Sequence, residues 1–442
     1  MYLKVLKLEN NFHHNYWAIM NNSYDVIIYN EDETKLEDYL SNNNVMTFDG
    51  EYLIGRYKHL QSNIFPLDVI FYLIQGKKFE IHNVTSLINL HHKNIEDEFG
   101  YKFDYEILID NKFPSIVEML NIDMNEYFKK YLHMTALIMK SKKIRKMIND
   151  GFISNKNVYN HFKNIQTKIC ENTYEFNKNK IYINKTSEMF ISNRDKDVYD
   201  NIIRNNNFYY PQFDALNAKT GRLGYHGKIN PMVFSKEIKS LQKPKFDSII
   251  SIDIKNAEPA VLFSLSNVNF NGDLYNYIIK DLNLSIDRDI MKKLLTSYIY
   301  GAKTDERFVS LLRKKYPSVI SYIETLINNA RKKTEVYTPF GRKLFVEKGK
   351  EYKIVNNFVQ STFSDFFQVY INYLNKSIIE QKLNARILYS IHDEVLVDVN
   401  NNEFEMLSEI SQQCLKFLIT QISNINNINL NISFKFKKIE NE

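Results

Sequence analysis

Two β-branched runs that end in carboxylates constrain this chain of 442 residues more than any other feature. The first is Ser248-Ile249-Ile250-Ser251-Ile252-Asp253-Ile254. The second is the pair Arg386–Ile391 and Val395–Val399, which flank His392-Asp393-Glu394. Side chains branched at Cβ crowd a helix and suit a pleated surface. These segments therefore read as strands of a sheet that presents acids at its strand ends, with helices packed around it. Acids on adjacent strands can hold two divalent cations about 3.5–4 Å apart, an arrangement suited to in-line displacement at phosphorus. Magnesium fits such a pair, because it binds through one or two carboxylates plus substrate phosphates and keeps some waters. Either aspartate alone reads as an ordinary turn or cap residue, so the pair gains meaning only from its surroundings.

At roughly 150 residues per domain, the chain is expected to form two or three domains. Hydrophobic residues make up 44% and charged residues 25%, which excludes wholesale disorder. Cys170 and Cys414 are the only cysteines, so there is no disulfide framework and a reducing compartment fits. The longest apolar runs, such as Val69–Ile74, stop well short of the roughly 18 residues of a membrane span. The N-terminus lacks a signal-peptide layout. A cytoplasmic protein with no membrane partner is expected.

The first 30 residues alternate the apolar runs Tyr2–Leu8, Tyr16–Met20 and Tyr24–Tyr29 with Asn-rich turns, and read as a small sheet. Glu80–Lys140 shows the three- and four-residue steps of helices. Asn157–Thr173, Ile286–Tyr300 and Val355–Leu374 also read as helices. The net charge of +6 is unevenly spread: residues 1–135 hold 12 Lys/Arg against 20 Asp/Glu, the rest 46 against 32, and residues 302–353 alone 13 against 6. An acidic module joined to one that meets a polyanion, nucleic acid first, accounts for the split; a solvated basic surface with no partner is the alternative. The sign changes near residues 135–140, where a domain boundary is placed.

The surroundings of the two acids form an ordered series. Thr220-Gly221-Arg222-Leu223 precedes Asp253-Ile254-Lys255-Asn256-Ala257-Glu258. Arg288, Lys292 and Tyr300-Gly301 follow, then Thr338-Pro339-Phe340-Gly341-Arg342, Gln360-Ser361-Thr362 with Asp365, and His392-Asp393-Glu394. Over roughly residues 210–400 this series resembles the polymerase module of family A DNA polymerases, the group of bacterial DNA polymerase I and many phage replicases.

The resemblance implies an α+β right-hand fold of palm, fingers and thumb, and it implies site residues. Asp253 and Asp393 are its metal ligands for two Mg²⁺ ions, with the Ile254 carbonyl as a further backbone candidate. Arg288 and Lys292, at i and i+4 on one helical face, clamp a triphosphate; a basic solvent-facing edge is the plainer reading. Tyr300, followed by the helix-ending Gly301, lies beside the templating base, unless it is simply core. Glu258 crowds the sugar 2′ position, the one place where ribose and deoxyribose differ, unless it is an exposed helix-start residue. Arg222, Asn356 and Gln360 contact the primer–template, His392 lies near the primer terminus, and Arg342 touches the backbone; ordinary surface or core roles compete. Two departures stand out. Thr296 occupies the place where family members carry Phe or Tyr, and Gly224-Tyr225-His226-Gly227 stands where small hydroxyl residues are common.

Residues 1–135 resemble, more weakly, the ribonuclease-H-like 3′–5′ exonuclease domain that precedes many such polymerases. Of an expected Asp-x-Glu only Glu9 is present, with Lys7 in the Asp position. Leu53 ends the second motif, Phe48–Leu53, and Thr135 ends the third, Tyr131-x3-Thr135. Losing three carboxylates leaves too little charge for two metals, so a degenerate domain without proofreading is expected; an unrelated α/β domain is the alternative. The expected division is thus 1–135, a thumb-like region 136–215, and palm with fingers over 216–442, the fingers at about 265–335. The expected activity is primer extension with deoxynucleoside triphosphates on primer–template DNA, with a replication accessory protein as a further partner. A catalytically idle DNA-binding accessory protein and a single-subunit RNA polymerase are the rivals. There is no HExxH, no paired CxxC and no GxGxxG after a strand, so a metalloprotease, zinc site or Rossmann dehydrogenase finds no support.

Overall fold

The structure, a computed structural model, describes residues 1–7, 14–20, 26–30, 33–76, 132, 135, 139, 142–185, 191, 195–333, 335–426 and 430–439. They fall into two compact units, Met1–Tyr174 and Glu175–Glu442.

In the first unit the N-terminal runs form the expected meander of β1 (Tyr2–Lys7), β2 (His14–Met20) and β3 (Val26–Asn30). The short strands β4 (Val45–Thr47) and β5 (Ile64–Pro66) extend it in the order β3-β2-β1-β4-β5, joining in parallel. Helices α1 (Glu33–Asn42), α2 (Gly50–Arg56) and α3 (Leu67–Gln75) follow β3, β4 and β5. The apolar run Val69–Ile74 lies within α3, where every residue from Leu67 to Ile74 is buried. A helix covered on all sides needs no polar face. Gly76 closes it in the left-handed region at φ +69°, which a glycine adopts without steric cost.

Asp68, buried on α3, holds the start of α2. Its two carboxylate oxygens accept from the backbone N–H groups of Gly50 and Glu51, each at 3.0 Å, two of the donors a helix leaves unpaired at its first turn. Burial pushes Asp68 up to about 7; the backbone N–H groups of Glu51 and Val69 oppose it, while the charges of Glu51 and Asp49 add to it. A carboxyl whose pKa is raised on folding binds its proton more tightly in the native state. Its contribution to stability is therefore complete below about pH 4 and is lost as the pH rises to about 7, at about 1.4 kcal/mol for each tenfold gain in proton affinity on folding. Urea unfolding at pH 5 and pH 8 checks this. The stability of wild type relative to Asp68→Asn should fall by on the order of 2–3 kcal/mol across that interval; a difference that does not move with pH contradicts the assignment.

From Lys142 to Asn177 the chain is helical except at Ser154–Asn155, where Asn155 caps the helix that begins at Lys156. This includes the expected helix at Asn157–Thr173. The division at 174/175 lies beyond the charge change at 135–140 because charge marks a surface, whereas apolar packing defines a unit. Phe152 of this stretch packs edge-on against Phe65 of β5, with ring centroids 6.4 Å apart. The expected region 136–215 accordingly has residues in both units. Of Glu80–Lys140 only Leu132, Thr135 and Met139 are among the described residues, and all three are helical.

The second unit is built on a four-stranded antiparallel sheet of β6 (Ser248–Ile254), β7 (Ala385–Ile391), β8 (Glu394–Val399) and β9 (Phe434–Ile439), in the order β7-β8-β6-β9. The expected runs supply three of its strands, β8 and β6 in the centre and β7 at one edge; β9 was not anticipated. Because side chains alternate across a strand, register decides what each face carries. Asp253 lies opposite Glu394 on β8 and Lys435 on β9. Ile252 and Ile254 lie opposite Phe436 and Phe434 on the other face. That second face is closed by α9 (Lys353–Glu380) and α10 (Phe404–Asn426). Tyr370 of α9 meets Phe434 at 4.8 Å, Phe404 of α10 meets Phe436 at 6.5 Å, and Gln368 of α9 donates to Ser390 of β7 at 3.2 Å. Its other helices include α4 (Ala257–Leu265), α5 (Leu274–Asp281), α6 (Arg288–Ile299), α7 (Glu306–Lys315) and α8 (Pro317–Lys332). No helix among the described residues is long and apolar enough to cross a membrane.

Candidate active site

On the face of the sheet that carries Asp253, the second unit encloses a cleft of about 710 Å³, to which Phe363 of α9 also contributes. Asp253, Asp393, Arg222, Glu258, Arg288, Lys292, Tyr300 and His392, all expected site residues, line it. Gly301, Asn356, Gln360 and Arg342 do not.

The acids are brought together by pairing. The Ile254 N–H donates to the Asp393 carbonyl at 3.0 Å, which ties the turn between β7 and β8 to the end of β6. In that two-residue turn His392 has φ +54°. A left-handed non-glycine residue costs on the order of 1 kcal/mol or more, and such strain concentrates at working sites. Burial raises Asp253 to about 6, the charges of Asp393 and Glu394 add to this, and Lys435 and Lys292 oppose it. Burial likewise raises Asp393, against the pull of its backbone N–H, His392 and Arg222. Glu394 is already engaged, accepting from Lys239 at 2.8 Å and from Ser251 at 2.6 Å.

A buried acid whose ionisation is opposed by neighbouring acids has room for added positive charge. Among the described residues no three acidic, His or Cys side chains form a metal cage. This donor set fits Mg²⁺, which shares its ligands with substrate phosphates and water, better than an ion that needs a closed protein shell.

Helix α6 supplies one wall. Asp287 caps it, accepting from the Ile290 N–H at 2.8 Å. Met291, Leu295 and Ile299 are its buried stripe, and the period of 3.6 residues puts Arg288, Lys292 and Thr296 on a second stripe. That stripe lines the cleft. Arg288 is held from α5: its Nε and Nη2 donate to Asp273 at 3.0 and 2.8 Å, and its guanidinium lies 5.1 Å from the Tyr275 ring centroid. Burial pushes Asp273 up, but Arg288 and the Asn276 N–H outweigh it and hold the carboxyl below its usual range. Thr296 hydrogen-bonds Tyr275. An aromatic ring therefore reaches this part of the cleft from α5, although α6 lacks one.

Glu258, in the first turn of α4, accepts from both Arg222 and Tyr300. Gln360 of α9 also reaches the Tyr300 hydroxyl. Gly301 turns the chain out of α6 at φ +70°, and a Cβ there would come 2.8 Å from Tyr352. Asn356, one helical turn before Gln360, has a buried Oδ1 with no hydrogen-bond partner among the described residues.

Arg342 is a correction. It was expected at the nucleic-acid backbone, yet only 2% of its side chain is exposed, and it forms an ion pair with the fully buried Asp365 of α9. Nε donates at 3.0 Å and Nη2 at 2.7 Å. Its guanidinium packs under Gly221, where a Cβ would overlap it and where φ is +75°. Arg342 thus supports the Thr220–Leu223 turn from inside, and Arg222 of that turn reaches Glu258.

Sequence reasoning missed Asp273, Tyr275, Asn256 and Lys435, all of which line the cleft. The only signal for Lys435 was the alternation of Phe and Lys over Phe434–Lys437, which marks a two-faced strand but not its neighbours. At the three sites expected to lack acids in the first unit, Lys7 lies on β1, and Leu53 and Thr135 are buried. Glu9 and Tyr131 lie outside the described residues.

Residues 288–438, from the first residue of α6 into β9, match the model of DNA polymerase family A. That stretch, about a third of the chain, is thus similar to family A DNA polymerases. The family A match is supported by relatives of modest identity. DNA polymerase I of Caldicellulosiruptor bescii is 24% identical over 172 residues, which make up 37% of this chain and 19% of that protein. DNA polymerase theta of Caenorhabditis elegans is 26% identical over 203 residues, 39% of this chain and 12% of that protein. The alignments thus span under a fifth of these relatives' length. The fold is similar to that of the POL domain of Pol1 from M. smegmatis, solved in complex with DNA primer-template and dNTP. The TM-score is 0.66 at 12% identity, covering 96% of this chain and 92% of that one. The chain thus has an α+β fold similar to that of the polymerase domain, with the β6–β9 sheet bringing both acids together.

Proposed function

We propose that this chain is a template-directed DNA polymerase that extends a primer with deoxynucleoside triphosphates. The observation that carries the reading is the convergence of Asp253, on β6, and Asp393, in the β7–β8 turn tied to β6, on a cleft walled by Arg288 and Lys292. In the reaction, the primer 3′-hydroxyl attacks the α-phosphate, a P–O bond to the chain forms, and pyrophosphate leaves with the electrons of the broken bond.

Asp253 and Asp393 would hold two Mg²⁺ ions, whose chemistry there would be to acidify the attacking hydroxyl and offset charge on the phosphates. Lys292 and the Asp273-oriented Arg288 take the triphosphate. Their fixed charges meet the negative charge that gathers on the leaving group, with no rearrangement needed at the moment of reaction. Glu258, held by Arg222 and Tyr300, is positioned to crowd a 2′-hydroxyl, and Tyr300 beside it meets the templating base. Arg222, Asn356, Gln360 and His392 hold the primer–template; the unpartnered Asn356 Oδ1 is an acceptor available to it. Duplex is gripped through its phosphates, a contact that carries no sequence preference.

The proposal extends to the first unit as an exonuclease-like domain without proofreading, since Lys7, Leu53 and Thr135 occupy the places of three acids. A 3′-mismatched primer tests both parts. The chain should elongate a matched primer with deoxynucleotides, reject ribonucleotides, and leave the mismatched terminus unexcised. Excision of the mismatch overturns the loss of proofreading, and failure to elongate the matched primer overturns the polymerase reading.

A further inference from the structure

The strand β9 places a lysine against the catalytic acids that neither sequence motif nor helix α6 supplies. Lys435 lies opposite Asp253 in the β6–β9 register, lines the cleft, and is exposed there. Among the described residues neither it nor Lys292 is in an ion pair, whereas Arg222 pairs with Glu258 and Arg288 with Asp273. Lys437, two residues on, faces the same way opposite Ser251 but does not line the cleft. Edge strands often carry lysines merely to discourage pairing with another chain. That role belongs equally to Lys437 and does not account for the position of Lys435 beside an acid.

A nucleoside triphosphate brings up to four negative charges into a cleft in which two cations are already matched. A flexible, unpaired ammonium beside the acids is a point charge suited to phosphate oxygens. We propose that Lys435 is a third polyphosphate-binding residue, acting with Arg288 and Lys292 on the incoming nucleotide and on the pyrophosphate it releases. This rests on the polymerase reading and adds to it a contact supplied by β9 rather than by α6.

Steady-state primer extension by Lys435→Gln, Lys435→Arg and Lys437→Gln tests the assignment. Binding of inorganic pyrophosphate to the full chain without DNA, followed by calorimetry, gives a readout that needs no turnover. Lys435→Gln should raise the KM for deoxynucleotide and weaken pyrophosphate binding, each about tenfold, the size of one lost charge-assisted contact, with kcat changed by less than about threefold. Lys435→Arg should restore most of both, and Lys437→Gln should match wild type. If Lys435→Gln keeps wild-type KM and pyrophosphate binding, the proposal fails while the polymerase reading stands. It fails equally if that variant shifts only the Mg²⁺ concentration needed for half-maximal rate, which would make Lys435 a counter-charge for Asp253. If wild type itself extends no primer, both readings fall together.

Discussion

Replacing Asp393 by Asn abolishes primer extension while leaving DNA binding within a few-fold of wild type. The expected loss is at least about 10³-fold, because one carboxylate of a two-acid site carries several kcal/mol of charge stabilisation and each 1.4 kcal/mol is tenfold in rate. The fold should survive. It is the backbone carbonyl of residue 393 that accepts from Ile254, and asparagine keeps it. Removing the charge also relieves Asp253, which Asp393 pushes upward. DNA affinity should persist because lysine and arginine contacts to phosphates supply most of it. Gel-resolved extension and a filter-binding titration check the two halves. Retained extension would show that the acids of this cleft do not perform the chemistry.

Replacing Arg342 by Ala costs about 3–5 kcal/mol of stability, the penalty for stranding a buried charge without its partner. Asp365 is fully buried, so water cannot replace the guanidinium. The loss should also slacken the turn at Gly221 that rests on it, and through Arg222 the hold on Glu258. Removing both charges as Arg342→Met with Asp365→Leu should be less damaging than Arg342→Ala alone, because paired removal leaves nothing unsatisfied. Urea denaturation of the two variants measures this. A loss under about 1 kcal/mol for Arg342→Ala would return Arg342 to the surface role expected from sequence.

The contrast between Arg342 and Lys292 shows what the sequence made legible. Lys292, Arg288 and Tyr300 were readable because helical spacing is local: residues four apart share a face wherever the helix packs. Asp253 and Asp393 were readable because β-branched runs announce strands, and an acid at the end of such a run is visible as a break in pattern. Arg342 was misread because an arginine in a turn has the same appearance whether it meets a phosphate or a buried aspartate 23 residues on. Only packing against Gly221 and α9 separates the two. Lys435 and Asp273 were missed for a related reason. Their partners, Asp253 and Arg288, are distant or on another helix, and strand register and helix–helix packing are not written in local periodicity. The boundary at 135–140 followed charge, a surface property, whereas Phe152 and its neighbours carry the first unit on to Tyr174.

Manganese binding by electron paramagnetic resonance, on the chain assembled with a dideoxy-terminated primer–template and the next complementary deoxynucleotide, tests the joint metal site most directly. Wild type should take up two ions per chain beyond those held by nucleic acid and nucleotide alone, and Asp253→Asn and Asp393→Asn should each lose at least one of them. Equal uptake by all three chains would contradict a shared site and with it the nucleotidyl-transfer account.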